Sequence, residues 1–277
     1  MSTRINHNIL SLTAQRNIYQ SQLSLDNAVT RLSSGLRINN AWDDPAGLAV
    51  SERFRAQIAS MVEAERNSNY NVNLLQTTDG ALSVIDEKLV RMRALAIQAS
   101  NGALTAGDRT SLNVEFNQLR SEITRIANVT NYNGLNLING DLSATGIKFH
   151  IGTNNVADQD YYFVTVGDFT ASALGLSGAD LTSTTGAQAA IGMLDTAIQS
   201  KDTERTRIGA YVERLQNTIM NLQISHESAV RSESQIRDAD IAAEMSNFVR
   251  AQLLMQTGVS MLAQANTIPQ IVAGLVG

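Results

Sequence analysis

The chain contains no cysteine, so neither a disulfide framework nor a thiolate metal site is open to it. Proline occurs only twice in 277 residues, and aromatic residues make up 5%. Both scarcities favour long helices packed on small side chains over a broad globular core. Lysine is confined to Lys88, Lys148 and Lys201, so the positive charge is carried almost wholly by arginine. The net charge is −5, which argues against general nucleic-acid binding, a function that needs a basic face. The N-terminal residues show no basic segment followed by the roughly 7–15 apolar residues of a signal peptide. No apolar run approaches the ~20 residues of a membrane span. On this chemistry alone the chain reads as cytoplasmic. Catalytic signals are missing too. His7, His150 and His226 have no ligand partner at helical spacing, and there is no phosphate-cradling glycine loop or nucleophile elbow. No metal or cofactor is expected, and an enzyme reading has no residues to rest on.

What the chain does have is helical periodicity. Ile5, Ile9, Leu12, Tyr19, Leu23, Val29, Leu32 and Leu36 mark a first amphipathic helix, which has nothing of its own to bury its stripe against and is marginal alone. Gly35 and Asn39-Asn40 suit a helix end and an irregular connector, and Asp44-Pro45 suits an N-cap and first helical position. The neighbouring carboxylates Asp43 and Asp44 are read as capping groups rather than acid–base chemistry. The second helix is expected to run from Pro45 to about Ser100, roughly 80 Å at 1.5 Å per residue. Leu75, Leu82, Leu89 and Ala96 form a heptad seam along it, flanked by Thr78, Ile85, Met92 and Ala99. Thr105 to Asp108 reads as a capping box, with Leu104 as staple, opening a third helix through Leu112, Phe116, Leu119, Ile123 and Ile126.

Residues 141–186 change character. Ile147–Ile151 and Tyr161–Val166 read as the arms of a β-hairpin with a longish loop. Thr185 to Gln188 is the expected cap of the next helix. That helix carries Ile208, Leu215, Leu222 and Ala229, flanked by Val212, Ile219 and His226, and is expected to pair with the long helix of the first half. A last helix carries Ile241, Phe248, Met255 and Leu262, with Met245 and Val259 beside them, and no charged residue follows Arg250. Ends this apolar bind either a membrane or further copies of the chain. A basic face for lipid is missing, so self-assembly is the better inference.

Three stretches carry a family resemblance: Arg31 to Arg55 (RLSSGLRINNAWDDPAGLAVSERFR), Leu112 to Gly140, and Ser234 to Gln256. They resemble the terminal signatures of bacterial flagellins. Trp42 departs from the pattern, standing where a small or charged residue is expected. The resemblance, covering about 1–141 and 171–277, implies a mainly α fold, a long antiparallel coiled-coil bundle with a small β-hairpin and paired N- and C-terminal helices. It implies that residues 1–40 and 235–277 form an inner-tube domain, and 41–234 a helical rod domain with the hairpin at about 141–186. The expected function is a structural subunit that self-assembles into the flagellar filament for motility, its assembly core comprising Ile5, Ile9, Leu12, Leu23, Ile241, Phe248, Met255 and Leu262. Expected partners are copies of itself, the type III export apparatus, an export chaperone and a filament cap. The absence of cysteine suits a chain exported unfolded. The expected location is the extracellular filament, with a periplasmic flagellum as the variant, and this overrides the cytoplasmic reading. A short form is implied, since only 141–186 fills the place of the variable outer domains. Ser and Thr residues between Ser143 and Thr185 are candidate O-glycan sites. Arg91, Leu95 and Glu115 match the family's contact face for the vertebrate Toll-like receptor for flagellin, with Leu95 partly exposed, or else a lateral packing face. A hook–filament junction protein and a secreted helical signalling protein are the alternatives.

Overall fold

The computed structural model describes residues 7–276, with side chains described to Thr267. Its elements run α1 (Ile9–Ser34), α2 (Pro45–Ala99), α3 (Ala106–Val129), β1 (Asn131–Tyr132), β2 (Leu135–Asn136), β3 (Ile147–His150), β4 (Tyr161–Val164), α4 (Thr184–Arg237) and α5 (Ile241–Val276). The chain is mainly α, with two small antiparallel hairpins, β1–β2 and β3–β4. It divides into two compact units, one holding residues to Ile58 and from Glu227, the other Ala59–His226. Among the described residues no helix is long and apolar enough to cross a membrane.

In the central unit the sequence's heptads become the core. Leu75, Leu82, Leu89 and Ala96 are fully buried, as are their neighbours Thr78, Ile85, Met92 and Ala99. Facing them are Leu194, Ile208 and Leu215 of α4 and Phe116, Ile123 and Ala127 of α3. The apolar periodicity thus fixes which face each helix turns inward, with about 1.5–3 kcal/mol per large side chain buried. Beside this seam an ionic ladder joins α2 to α4. Asp79 pairs with Arg205 at 2.7 Å, Asp86 with Lys201 at 2.6 Å, and Arg93 with Asp195 at 2.6 Å. The order of partners makes the two helices antiparallel. Helix ends are closed as the local sequence dictates. Thr105 and Asp108 form the reciprocal capping box of α3. The carbonyls at the end of α2 are capped from outside by Arg109, whose guanidinium donates to Ala99 and Asn101.

Two local readings need correction. Helix α4 begins one residue before the expected cap, because Ser183 and not Thr185 supplies the capping oxygen, accepting from the Gly186 N–H at 3.0 Å. Between α3 and the main hairpin lies a second hairpin, β1–β2, turned by Asn133 and Gly134 at positive φ, the residue pair that favours a two-residue turn. The β3–β4 hairpin matches the expected arms, with Phe149 and Tyr162 paired on its buried face. The segment after it is a packed loop: Phe169, Leu174, Leu176 and Leu181 are all buried. Arg120 and Asn113 of α3 hold its backbone at Ser177 and Leu181.

Candidate assembly surface

In the terminal unit α1 and α5 lie antiparallel, with Asn8 donating to the Ala265 carbonyl at one end and Arg31 meeting Glu244 at 3.6 Å at the other. Their seam follows a heptad on both helices. On α1 it runs Ser11, Ala14, Ile18, Ser21, Leu25, Ala28 and Leu32; on α5, Glu244, Phe248, Ala251, Met255, Gly258, Leu262 and Ala265. Half of these are Ser, Ala or Gly, and the backbones approach within 8 Å along the seam. At Gly258 the approach is close: an added Cβ would sit 2.8 Å from Ile18 Cγ1.

This packing changes the meaning of the first helix's apolar stripe. Of its expected positions among the described residues only Leu32 lies on the seam. Ile9, Leu12, Tyr19, Leu23 and Val29 are exposed, Leu12 by 62%. Small residues share the intramolecular contact with Ile18, Leu25, Leu32, Phe248, Met255 and Leu262, while Ile9, Leu12, Tyr19, Leu23 and Val29 are left outside. Of the expected assembly residues, Ile9, Leu12, Leu23 and Ile241 are exposed, whereas Phe248, Met255 and Leu262 are half-buried against α1 and so already engaged within the chain. Ile5 lies outside the described residues. Periodicity alone could not separate these two groups. The signal that does so is the line of Ser, Ala and Gly at heptad spacing, which permits close helix approach.

One side of the helix pair is a groove of about 910 Å³ of mixed, mainly apolar lining, with Leu10, Ile18, Leu254 and Met261 set among Asn17 and Asn247. Elsewhere α5 presents Met245, Val249, Leu253 and Leu254 to solvent around a shallow depression.

Both terminal helices break at one level, and the breaks are joined. Gly35 ends α1 in the left-handed conformation, at φ 71°, and its carbonyl accepts from the Ala239 N–H at 2.9 Å. The Arg37 N–H donates to the Arg237 carbonyl at 2.7 Å, while Arg237 reaches Glu52 at 2.9 Å. The connector is also tied internally. Asp43 accepts from the backbone N–H groups of Asn39 and Asn40, and Asp44 from that of Gly47. The Asn40 and Asn39 amides hold the Asp43 carboxyl below its ordinary value. Ile38 is buried beneath, and Trp42 projects with 80% of its surface exposed. Asp44 therefore caps α2 as its position implies, whereas Asp43 closes the turn of the connector and caps no helix.

On the central unit Arg91 and Glu115 are exposed and bonded to each other between α2 and α3, at 2.8 Å. Leu95 is not partly exposed as expected but buried to 1%, because it joins the core facing the rest of the unit. It cannot serve as an exposed anchor beside Arg91.

An antiparallel pair of terminal helices carrying exposed apolar surface defines a long helical subunit with surface left for further contacts. The comparisons give the family. Residues 5–142 match the bacterial flagellin N-terminal helical region, and residues 191–276 the bacterial flagellin C-terminal helical region. A flagellar filament core protein of Brachyspira hyodysenteriae is 39% identical over 96% of this chain and 97% of its own length. A flagellin of Halalkalibacterium halodurans is 40% identical over 98% of each chain. The crystal structure of Bacillus cereus flagellin superposes with a TM-score of 0.50 at 35% identity, covering 57% of this chain and 88% of that one. The chain belongs to the bacterial flagellins, structural subunits of the flagellar filament that serve motility. This assignment takes precedence over the hook–filament junction and secreted-signal readings.

Proposed function

We propose that the chain polymerises head to tail, with α1 and α5 lining an inner tube and the central helices forming a rod around it. In this reading residues 1–40 and 235–277 make the tube and 41–234 the rod. The observation that carries it is the exposed large apolar surface on the terminal helices, at Leu12, Tyr19 and Leu23 and at Met245, Val249 and Leu253, which has no partner within the described residues. At about 25 cal/mol per Å² such surface favours a protein partner over water. Copies of the same chain are the partner consistent with the family. The chain reaches the filament through the flagellar export apparatus, with an export chaperone and a filament cap as transient partners. The filament is placed outside the cell, with the periplasm as the alternative compartment, and relatives that are filament core proteins support the shared element of both. Arg91 and Glu115 are assigned to lateral packing. Recognition by the vertebrate receptor would rest on those two side chains without Leu95.

The test is the Leu12→Asp/Leu23→Asp double variant. Both positions face solvent, so the monomer should keep its helicity and thermal midpoint while sedimentable polymer is lost. Filaments of ordinary yield from this variant would refute the assignment.

A further inference from the structure

We propose that Trp42 is an intersubunit anchor, seated in the polymer on the shallow apolar depression that α5 of a second copy presents between Met245 and Leu254. The proposal rests on the filament reading, and its first observation is the ring itself. Trp42 is the sole tryptophan of the chain, and 80% of its surface is exposed. An indole offers a large apolar area, and tryptophan is among the residues that dominate protein interfaces when it docks in a pocket. It is also preorganised. Asp43 bonds the Asn39 and Asn40 amides, Ile38 is buried, and Arg37 is bonded to Arg237 at the end of α4, so the segment presenting the ring is ordered before binding. Little further conformational entropy is then lost on docking.

The second observation is the place for it to go. A helical polymer needs heterologous contacts, in which a feature on one copy meets a different feature on the next. The depression on α5 has a volume of about 610 Å³ and is lined by Met245, Ser246, Val249, Arg250, Leu253 and Leu254. Its Met, Val and Leu side chains are about half exposed. The thioether suits contact with an aromatic ring. Arg250 makes no ion pair among the described residues, and it suits both the face of an indole and the carboxylate of Asp43 next to it. Apolar surface and charge therefore match between the two features. A lipid surface matches less well, since the connector carries Asp43 and Asp44 beside the ring.

The full-length chain supplies its own probe. Trp42 emission should shift to the blue on polymerisation, and its acrylamide quenching constant should fall at least several-fold. The absence of cysteine gives a second readout. Copolymer grown from equal amounts of Trp42→Cys and Val249→Cys monomers should yield a disulfide-linked dimer on mild oxidation, and neither variant polymerised alone should. Polymer whose wild-type Trp42 emission and quenching equal those of the monomer overturns the proposal, whether or not the variants assemble. A blue shift with no dimer in a copolymer that does form overturns the α5 acceptor. A shift produced by lipid vesicles or another protein, with none on polymerisation, overturns the choice of a second copy. A wild-type chain that forms no polymer at all counts instead against the filament reading.

Discussion

Gly258 lies on the α1–α5 seam with no room for a side chain. In an exposed helix, glycine to alanine stabilises by about 1 kcal/mol through backbone propensity. Here the new methyl would meet Ile18 Cγ1 at 2.8 Å, and overpacking costs typically about 1–3 kcal/mol. The steric term is the larger, so Gly258→Ala should destabilise the α1–α5 pair in spite of the propensity gain. Adding Ile18→Ala should restore part of the loss, because the clash is with that one side chain. Amide exchange in α1 and α5 reads both effects, and equal protection in wild type and Gly258→Ala would show that the contact is slack. Leu95 makes a related point at the same scale. Its spacing from Arg91 places it near an exposed charge, yet its side chain is in the core, so a substitution there would act on stability before it acted on any surface.

At the scale of elements, the ladder between α2 and α4 carries a register. Its charges are not all of one sign on each helix: α2 offers Asp79, Asp86 and Arg93, and α4 answers with Arg205, Lys201 and Asp195. A slip that carried Lys201 to the place of Asp195 would set it against Arg93. The Lys201 side chain is only 3% exposed and also meets Asp202 at 2.6 Å. Burial works against its ammonium, but Asp202 and Asp86 outweigh that and keep its pKa above the ordinary lysine value. Lys201→Met leaves Asp86 without its partner. It should lower the unfolding free energy read from urea titration by less than the roughly 3–5 kcal/mol of a fully buried pair, since Asp86 is partly in water. Lys201→Met/Asp86→Leu should recover most of the loss, and a double variant no better than the single would assign the effect to lost side-chain packing. The heptads that build this unit were legible in the sequence, because burial of Leu75 through Ala96 follows the helical period. The first hairpin was not, since four strand residues around Asn133-Gly134 give too short a pattern, and the packed loop at 167–183 was hidden by its Gly, Ser and Thr content. Of the α1–α5 seam, Phe248, Met255 and Leu262 were legible as a heptad, but most of the α1 side was not, because apolar periodicity weighs large side chains and that side also uses Ser and Ala.

Taken as a whole, the molecule has two kinds of core. The central unit buries Leu, Ile, Met and Phe; the terminal helix pair buries chiefly Ala, and leaves much of its apolar surface outside. Hydrophobic stabilisation scales with buried area, so the terminal pair should open more readily. In hydrogen exchange or limited proteolysis of the monomer, residues 9–34 and 241–267 should lose protection first, and polymer should protect them. Protection equal in monomer and polymer would count against assembly through these helices. The joined connectors bear on how such a pair carries load. Gly35 with Ala239 and Arg37 with Arg237 tie the outgoing strand of the chain to the returning one where both helices break. A pull on either helix is thereby shared by both, and the hydrogen bonds, lying across the chain direction, are sheared together instead of peeled one at a time. In a thread that transmits torque, that makes the double break a coupling rather than a weak link.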